Sequence, residues 1–151
     1  MSATQNSEPI FSGEFCHALD PKKRITIPSR WRKGEADEFF LIPGRENAFL
    51  RVMPTEQFRA VGEKAASDPA IPARERTVFL RQFYSRARQV IADKQGRLVI
   101  PEEFCALINL KGEIMLVGAH QTIELWNKAA WEATKQSEAA TFDRIAEMMG
   151  L

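Results

Sequence analysis

Two short stretches hold the residue types that could do chemistry in this chain. Asp20-Pro21-Lys22-Lys23-Arg24 runs into Ile25-Thr26-Ile27-Pro28, and Asp93-Lys94-Gln95-Gly96-Arg97 runs into Leu98-Val99-Ile100-Pro101. The common pattern is D-x-x-x-R followed by three branched residues and a proline, so that Asp93, Arg97 and Pro101 repeat Asp20, Arg24 and Pro28. An arginine can grip a phosphate, or the O6 and N7 edge of guanine, with two parallel hydrogen bonds. Lysines such as Lys22, Lys23 and Lys94 suit phosphates, contacts that position a protein on a duplex and make binding salt-dependent. A two-stranded ribbon fits the major groove, so no recognition helix is needed. Between Pro21 and Gly34 stand six Lys or Arg and no acid, which adds Arg30 and Arg32 to a candidate DNA-binding set of Lys22, Lys23, Arg24, Arg30, Arg32, Lys94 and Arg97. Asp20 and Asp93 open the two turns. Aspartate there bonds its own downstream backbone, so a turn-structuring role is expected for both. Arg24 and Arg97 can pair with them and still offer an outer edge to DNA. The alternative is a structural or protein-interaction module whose cations form a solvated face or meet an acidic partner.

The charge is unevenly placed. Net charge is only +1, yet residues 1–101 carry 17 Lys/Arg against 12 Asp/Glu, and residues 102–151 carry 4 against 8. A polyanion-binding face on a near-neutral body fits this distribution. The chain has 151 residues with 44% apolar and 27% charged content, enough for a moderate core and ordinary for a globular protein. No run of 18 apolar residues is long enough to span a bilayer. Residues 1–10 lack the basic and apolar regions of a secretory signal and are expected to be a disordered extension. The two cysteines, Cys16 and Cys105, sit in apolar sequence company and suggest no disulfide framework. His17 and His120 belong to no catalytic or metal-binding motif, and no phosphate-binding glycine loop is present. We therefore expect no catalytic residue, metal, cofactor, small-molecule substrate or membrane contact.

Laying Asp20 on Asp93 and continuing without a gap aligns more than the turns. Trp31 falls on Phe104, Leu50 on Ile123, Val52 on Leu125 and Phe58 on Trp131. Each copy reads as a strand (Glu14 to Leu19, Arg88 to Ala92), the turn, and a short β-branched strand (Arg24 to Ile27, Arg97 to Ile100) that proline stops. A helical turn follows (Ser29 to Lys33, Glu102 to Ile108), then two strands (Phe39 to Ile42 and Ala48 to Val52; Glu113 to Val117 and Thr122 to Leu125), then a helix. Pro54 and Asn127 are good helix-start residues. The first copy holds helices from Thr55 to Ala66 and from Ala73 to Phe83, the latter with Val78, Leu80 and Phe83 inward. The second holds one long helix from Lys128 to Met149, with Trp131, Phe142, Ile145 and Met149 partly buried. Each copy has too few strands for its own core. The expected fold is α+β with a mainly β core, in which two units, residues 11–83 and 84–151, share one pseudo-two-fold barrel.

At this point the residues match a family. Phe11-Ser12-Gly13-Glu14, the turns from Asp20 and Asp93, Phe83-Tyr84-Ser85, Val117-Gly118 and Ile123-Glu124-Leu125-Trp126 resemble MraZ, a family of bacterial transcriptional regulators of the division and cell-wall gene cluster. The resemblance implies tandem AbrB-type swapped-hairpin DNA-binding units with flanking helices. It further implies a cytoplasmic, nucleoid-associated homo-oligomeric ring that presents its D-x-x-x-R loops to repeated promoter boxes and represses its own operon. The first loop, with Lys22, Lys23 and Arg24, is the one expected to read DNA, and the second chiefly to complete the barrel or pack the ring. Three features depart from the family pattern: Lys23 stands where glycine usually precedes the arginine, Arg86 stands where glycine is common, and the N-terminal extension is not typical.

Overall fold

The computed structural model describes residues 10–151, so the expected disorder of residues 1–10 lies almost wholly outside the described residues. The chain runs β1 (Glu14–Ala18), β2 (Arg24–Thr26), β3 (Glu38–Pro43), β4 (Leu50–Pro54), α1 (Thr55–Ser67), α2 (Ala73–Arg86), β5 (Arg88–Ile91), β6 (Arg97–Val99), α3 (Glu102–Ile108), β7 (Glu113–Ala119), β8 (Thr122–Asn127) and α4 (Lys128–Met148). A single 3-10 turn, Ser29–Trp31, stands where the second half has α3. The element starts keep the alignment of the sequence halves: α1 begins at Thr55 and α4 at Lys128, positions that coincide when Asp20 is laid on Asp93. Asn127 caps α4, its side-chain oxygen accepting from the Ala130 N–H at 3.2 Å.

Six strands form an antiparallel sheet in the order β1-β7-β8-β4-β3-β5, and β2 pairs only with β6. Exchanging each strand for its counterpart in the other half gives the same order read backwards. β1 of the first half lies on β7 of the second, and β5 of the second lies on β3 of the first. The sheet is covered on both faces, and β3 and β7 accordingly hold the apolar runs Phe39–Ile42 and Ile114–Val117, while Arg51 of β4 lies opposite Glu124 of β8. Leu41, Leu50, Val52, Ile114, Leu116, Ile123 and Leu125 point towards the β2–β6 ribbon, where they meet Ile25, Ile27, Leu98 and Ile100 in one cluster. On the opposite face Ile42, Met53, Phe58 and Phe83 pack under α1 and α2, while Phe49, Met115, Val117 and Trp126 pack beside Trp131 of α4.

Several expectations are corrected. The sheet does not close into a barrel. Pro28 and Pro101 limit β2 and β6 to three residues each, and these bond to one another, leaving β1 and β5 as open edges. Val78 faces solvent at 50% exposure; in α2 it is Phe83 that enters the core. Phe142, Ile145 and Met149 are exposed, and no residue of α4 is buried. Cys16 is exposed rather than in apolar company, and its thiol lies 3.5 Å from the Glu113 carboxylate.

Candidate nucleic-acid interface

The two turns are built alike from their backbones upward. Asp20 Oδ1 accepts from the Lys22 and Arg24 N–H groups at 2.9 and 2.8 Å, and Oδ2 accepts from Arg24 Nε at 2.7 Å. Asp93 Oδ1 accepts from the Gln95 and Arg97 N–H groups at 3.0 and 2.8 Å, and Oδ2 from Arg97 Nε at 2.7 Å. In both, the residue before the arginine is left-handed: Lys23 at φ 63° and Gly96 at φ 79°. The backbone then ties one turn to the other half. The Ile27 N–H donates to the Gly96 carbonyl and the Ile100 N–H to the Lys23 carbonyl, both at 2.8 Å.

These bonds set the carboxyl electrostatics. Desolvation would raise Asp20, but it is outweighed by the backbone and side-chain hydrogen bonds from Arg24, by that arginine's charge and by the Lys22 N–H, so the carboxyl lies below its ordinary value. For Asp93 the backbone hydrogen bond from Arg97 leads, again against desolvation, and the carboxyl is lowered as well. Both carboxylates are thus charged wherever they hold an arginine.

Register decides where the arginines point. Arg24 lies opposite Val99, Ile25 opposite Leu98 and Thr26 opposite Arg97. Ile25 and Leu98 are buried at 1% and 0%, so Arg24, Thr26, Arg97 and Val99 share the outward face of one ribbon. Each arginine is held through Nε. Among the described residues no partner occupies the two terminal nitrogens of Arg24, whereas Arg97 also donates to Gln95 at 3.2 Å. Lys22 and Lys94 are exposed and Lys23 is half-buried at the turns.

Arg30 and Arg32 do other work within the fold. Arg30 donates to the Ser12 carbonyl at 2.9 Å and stands over the Phe15 ring, fixing the segment before β1. Arg32 lies across Gly96, where an added Cβ would stand 2.5 Å from its Cδ. The position equivalent to Arg32 in the second half is Cys105, a far shorter side chain. This explains an asymmetry between the turns: Gly96 is required because Arg32 crosses it, while the Cys105 side leaves room for Lys23. Reading by residue type passed over Thr26 and Val99, whose outward placement was present only in the two-residue alternation with Ile25 and Leu98. Among the described residues, no group of three or more His, Cys, Asp and Glu side chains is placed to hold a metal, and no helix is long and apolar enough to cross a membrane.

A family model described as "MraZ protein, putative antitoxin-like" matches the chain twice, over residues 10–81 and 83–150. The chain belongs to the MraZ family. The two MraZ matches place one D-x-x-x-R turn in each, with Asp20 as far into the first as Asp93 is into the second. A protein of Pediococcus pentosaceus named "Transcriptional regulator MraZ" is 38% identical over 138 residues, covering 91% of this chain and 95% of its own length. Proteins of the same name from Desulforamulus reducens and Clostridium tetani are 35% and 34% identical, covering 91% and 93% of this chain and 96% of their own lengths. The name these MraZ relatives carry denotes a regulator, which is not an enzyme class.

Proposed function

We propose that this chain is a sequence-specific DNA-binding transcriptional regulator that reads the major groove with the outward face of its β2–β6 ribbon. The observation that carries this reading is the placement of Arg24 and Arg97, both part-exposed, on one outward face, each clamped by an aspartate through Nε. Clamping fixes the guanidinium plane before DNA arrives, so little side-chain freedom is lost on binding. In this reading Arg24 and Arg97 meet base edges, and Lys22, Lys23 and Lys94 meet flanking phosphates. Arg30 and Arg32 contribute positive potential beside the ribbon. Matched arginine clamps favour the use of both turns, with the richer charge of the first turn making it the stronger contact. The units 11–83 and 84–151 each supply one strand of this ribbon. Pairing of β1 with β7 and of β5 with β3 supports a swapped arrangement of their first hairpins.

Self-assembly belongs to the same proposal. α1 is covered by α2, with Phe58 stacked on Phe83 at 4.7 Å, whereas no residue of α4 is buried. Its far end exposes Phe142, Ile145, Met148 and Met149 among three acids, Glu138, Asp143 and Glu147, and one cation, Arg144. α2 exposes Val78, Phe79 and Tyr84 beside Arg74, Arg76, Arg81 and Arg86. Opposite charge and shared apolar character favour α4 of one copy resting on α2 of the next, a head-to-tail contact that can close into a ring. Such a ring would engage repeated promoter boxes multivalently. The family resemblance supports a cytoplasmic, nucleoid-associated protein that represses the division and cell-wall operon of its own gene.

A protection footprint by the full chain on the DNA upstream of its own gene tests this. Discrete protected boxes at physiological salt, absent from shuffled DNA, are expected. Uniform or absent protection would favour the module that binds an acidic protein partner instead.

A further inference from the structure

The four side chains on the ribbon's outward face are not equivalent in chemistry. Val99 is 56% exposed, an apolar tip directly beside Arg24 on a face that is otherwise cationic or polar. Strand propensity accounts for a β-branched residue there, and threonine would satisfy it equally. The other half shows this, because the position in the first copy equivalent to Val99 is Thr26, beside Arg97. Valine and threonine have nearly the same shape, but one ends in two methyls and the other in a methyl and a hydroxyl. The pseudo-two-fold ribbon therefore carries matched arginines and unmatched neighbours.

The major groove offers one exposed apolar group, the C5-methyl of thymine; the other groups there are hydrogen-bond donors and acceptors. We propose that Val99 and Thr26 are specificity-determining residues, with Val99 seated on a thymine methyl beside the base met by Arg24 and Thr26 on a hydrogen-bonding base edge beside the base met by Arg97. This deepens the DNA-reading proposal and rests on it. A direct cross-strand neighbour lies about 5 Å away, so each arginine and its neighbour reach adjacent base steps. The consequence is directional: a protein built with internal two-fold symmetry selects a box that is not palindromic, since only one half demands thymine.

The test uses the full chain and a duplex box selected by it from a random library. Each thymine of that box is replaced singly by deoxyuridine, which removes only the methyl. For the wild-type chain, one thymine is expected at which this replacement weakens binding about fourfold, the worth of one buried methyl. Val99→Ala should bind the deoxyuridine and thymine boxes equally at that position. Val99→Thr, nearly isosteric and safe for folding, keeps one γ-methyl and exchanges the other for a hydroxyl, so it should lose only part of the methyl discrimination and select a more symmetric box. Specific binding that is indifferent to every methyl overturns this inference and leaves the DNA-reading proposal standing. Unaltered methyl discrimination in Val99→Ala also overturns it. Failure to select any box overturns both.

Discussion

Lys23 occupies a left-handed backbone position that glycine fills in the second turn, and this carries a conformational cost. A side chain in that conformation is disfavoured by roughly 1–2 kcal/mol, partly offset by glycine's greater entropy loss of roughly 0.5–1 kcal/mol. Lys23→Gly should thus raise stability by roughly 0.5 kcal/mol in urea denaturation. The same substitution should make the salt slope of DNA binding shallower by about 0.9, one phosphate contact. Gly96→Ala should act oppositely, because the new Cβ meets Arg32 Cδ at 2.5 Å in a backbone at φ 79°; a loss of roughly 1–3 kcal/mol is expected. The aspartate clamps predict a pH dependence. Both carboxyls are lowered in the fold, so they stabilise above the ordinary aspartate value of about 4 and lose that contribution as pH falls through the lower folded value. The melting temperature of the Asp20→Asn, Asp93→Asn double variant should therefore differ most from wild type at neutral pH and converge with it in acid.

At the scale of elements, duplication explains both what was legible in the sequence and what was not. The offset aligned Phe58 with Trp131, and in the structure Ile42 and Met53 under α1 and α2 stand at the positions equivalent to Met115 and Trp126 beside α4. Strand positions followed from β-branched runs and their prolines, and the starts of α1 and α4 from Pro54 and Asn127. Strand partners did not follow. Nothing local tells β1 that its neighbour is β7, in the other half of the chain, because register is set by the tertiary contact. The burial of α4 was also misread. Helical spacing of Phe142, Ile145 and Met149 marks an apolar face, but it cannot say whether that face is covered within the chain. In the first half α2 covers α1, burying Phe58 and Phe83; in the second no residue of α4 is buried. If the exposed end of α4 is a subunit contact, Phe142→Glu with Met149→Glu should lower the mass found by light scattering while leaving the thermal unfolding of the sheet unchanged. An unchanged mass would remove α4 from the assembly.

For the whole molecule, the sheet is a frame that holds a small ribbon outward. Ile25 and Leu98 anchor the ribbon's inner face in the main cluster, so Leu98→Ala should cost about 2–5 kcal/mol and weaken DNA binding without touching DNA. The net charge of +1 hides this organisation, since Lys22, Lys23, Arg24, Lys94 and Arg97 are concentrated at two turns that the β2–β6 pairing brings side by side. The central claim is that clamped Arg24 reads bases there. The most direct measurement is the affinity of Arg24→Ala for its own upstream DNA, titrated across salt and compared with shuffled DNA. The loss for the specific site should be about 1–3 kcal/mol per box with a much smaller loss on shuffled DNA. Equal affinity for the specific site, with an unchanged salt slope, would contradict the account.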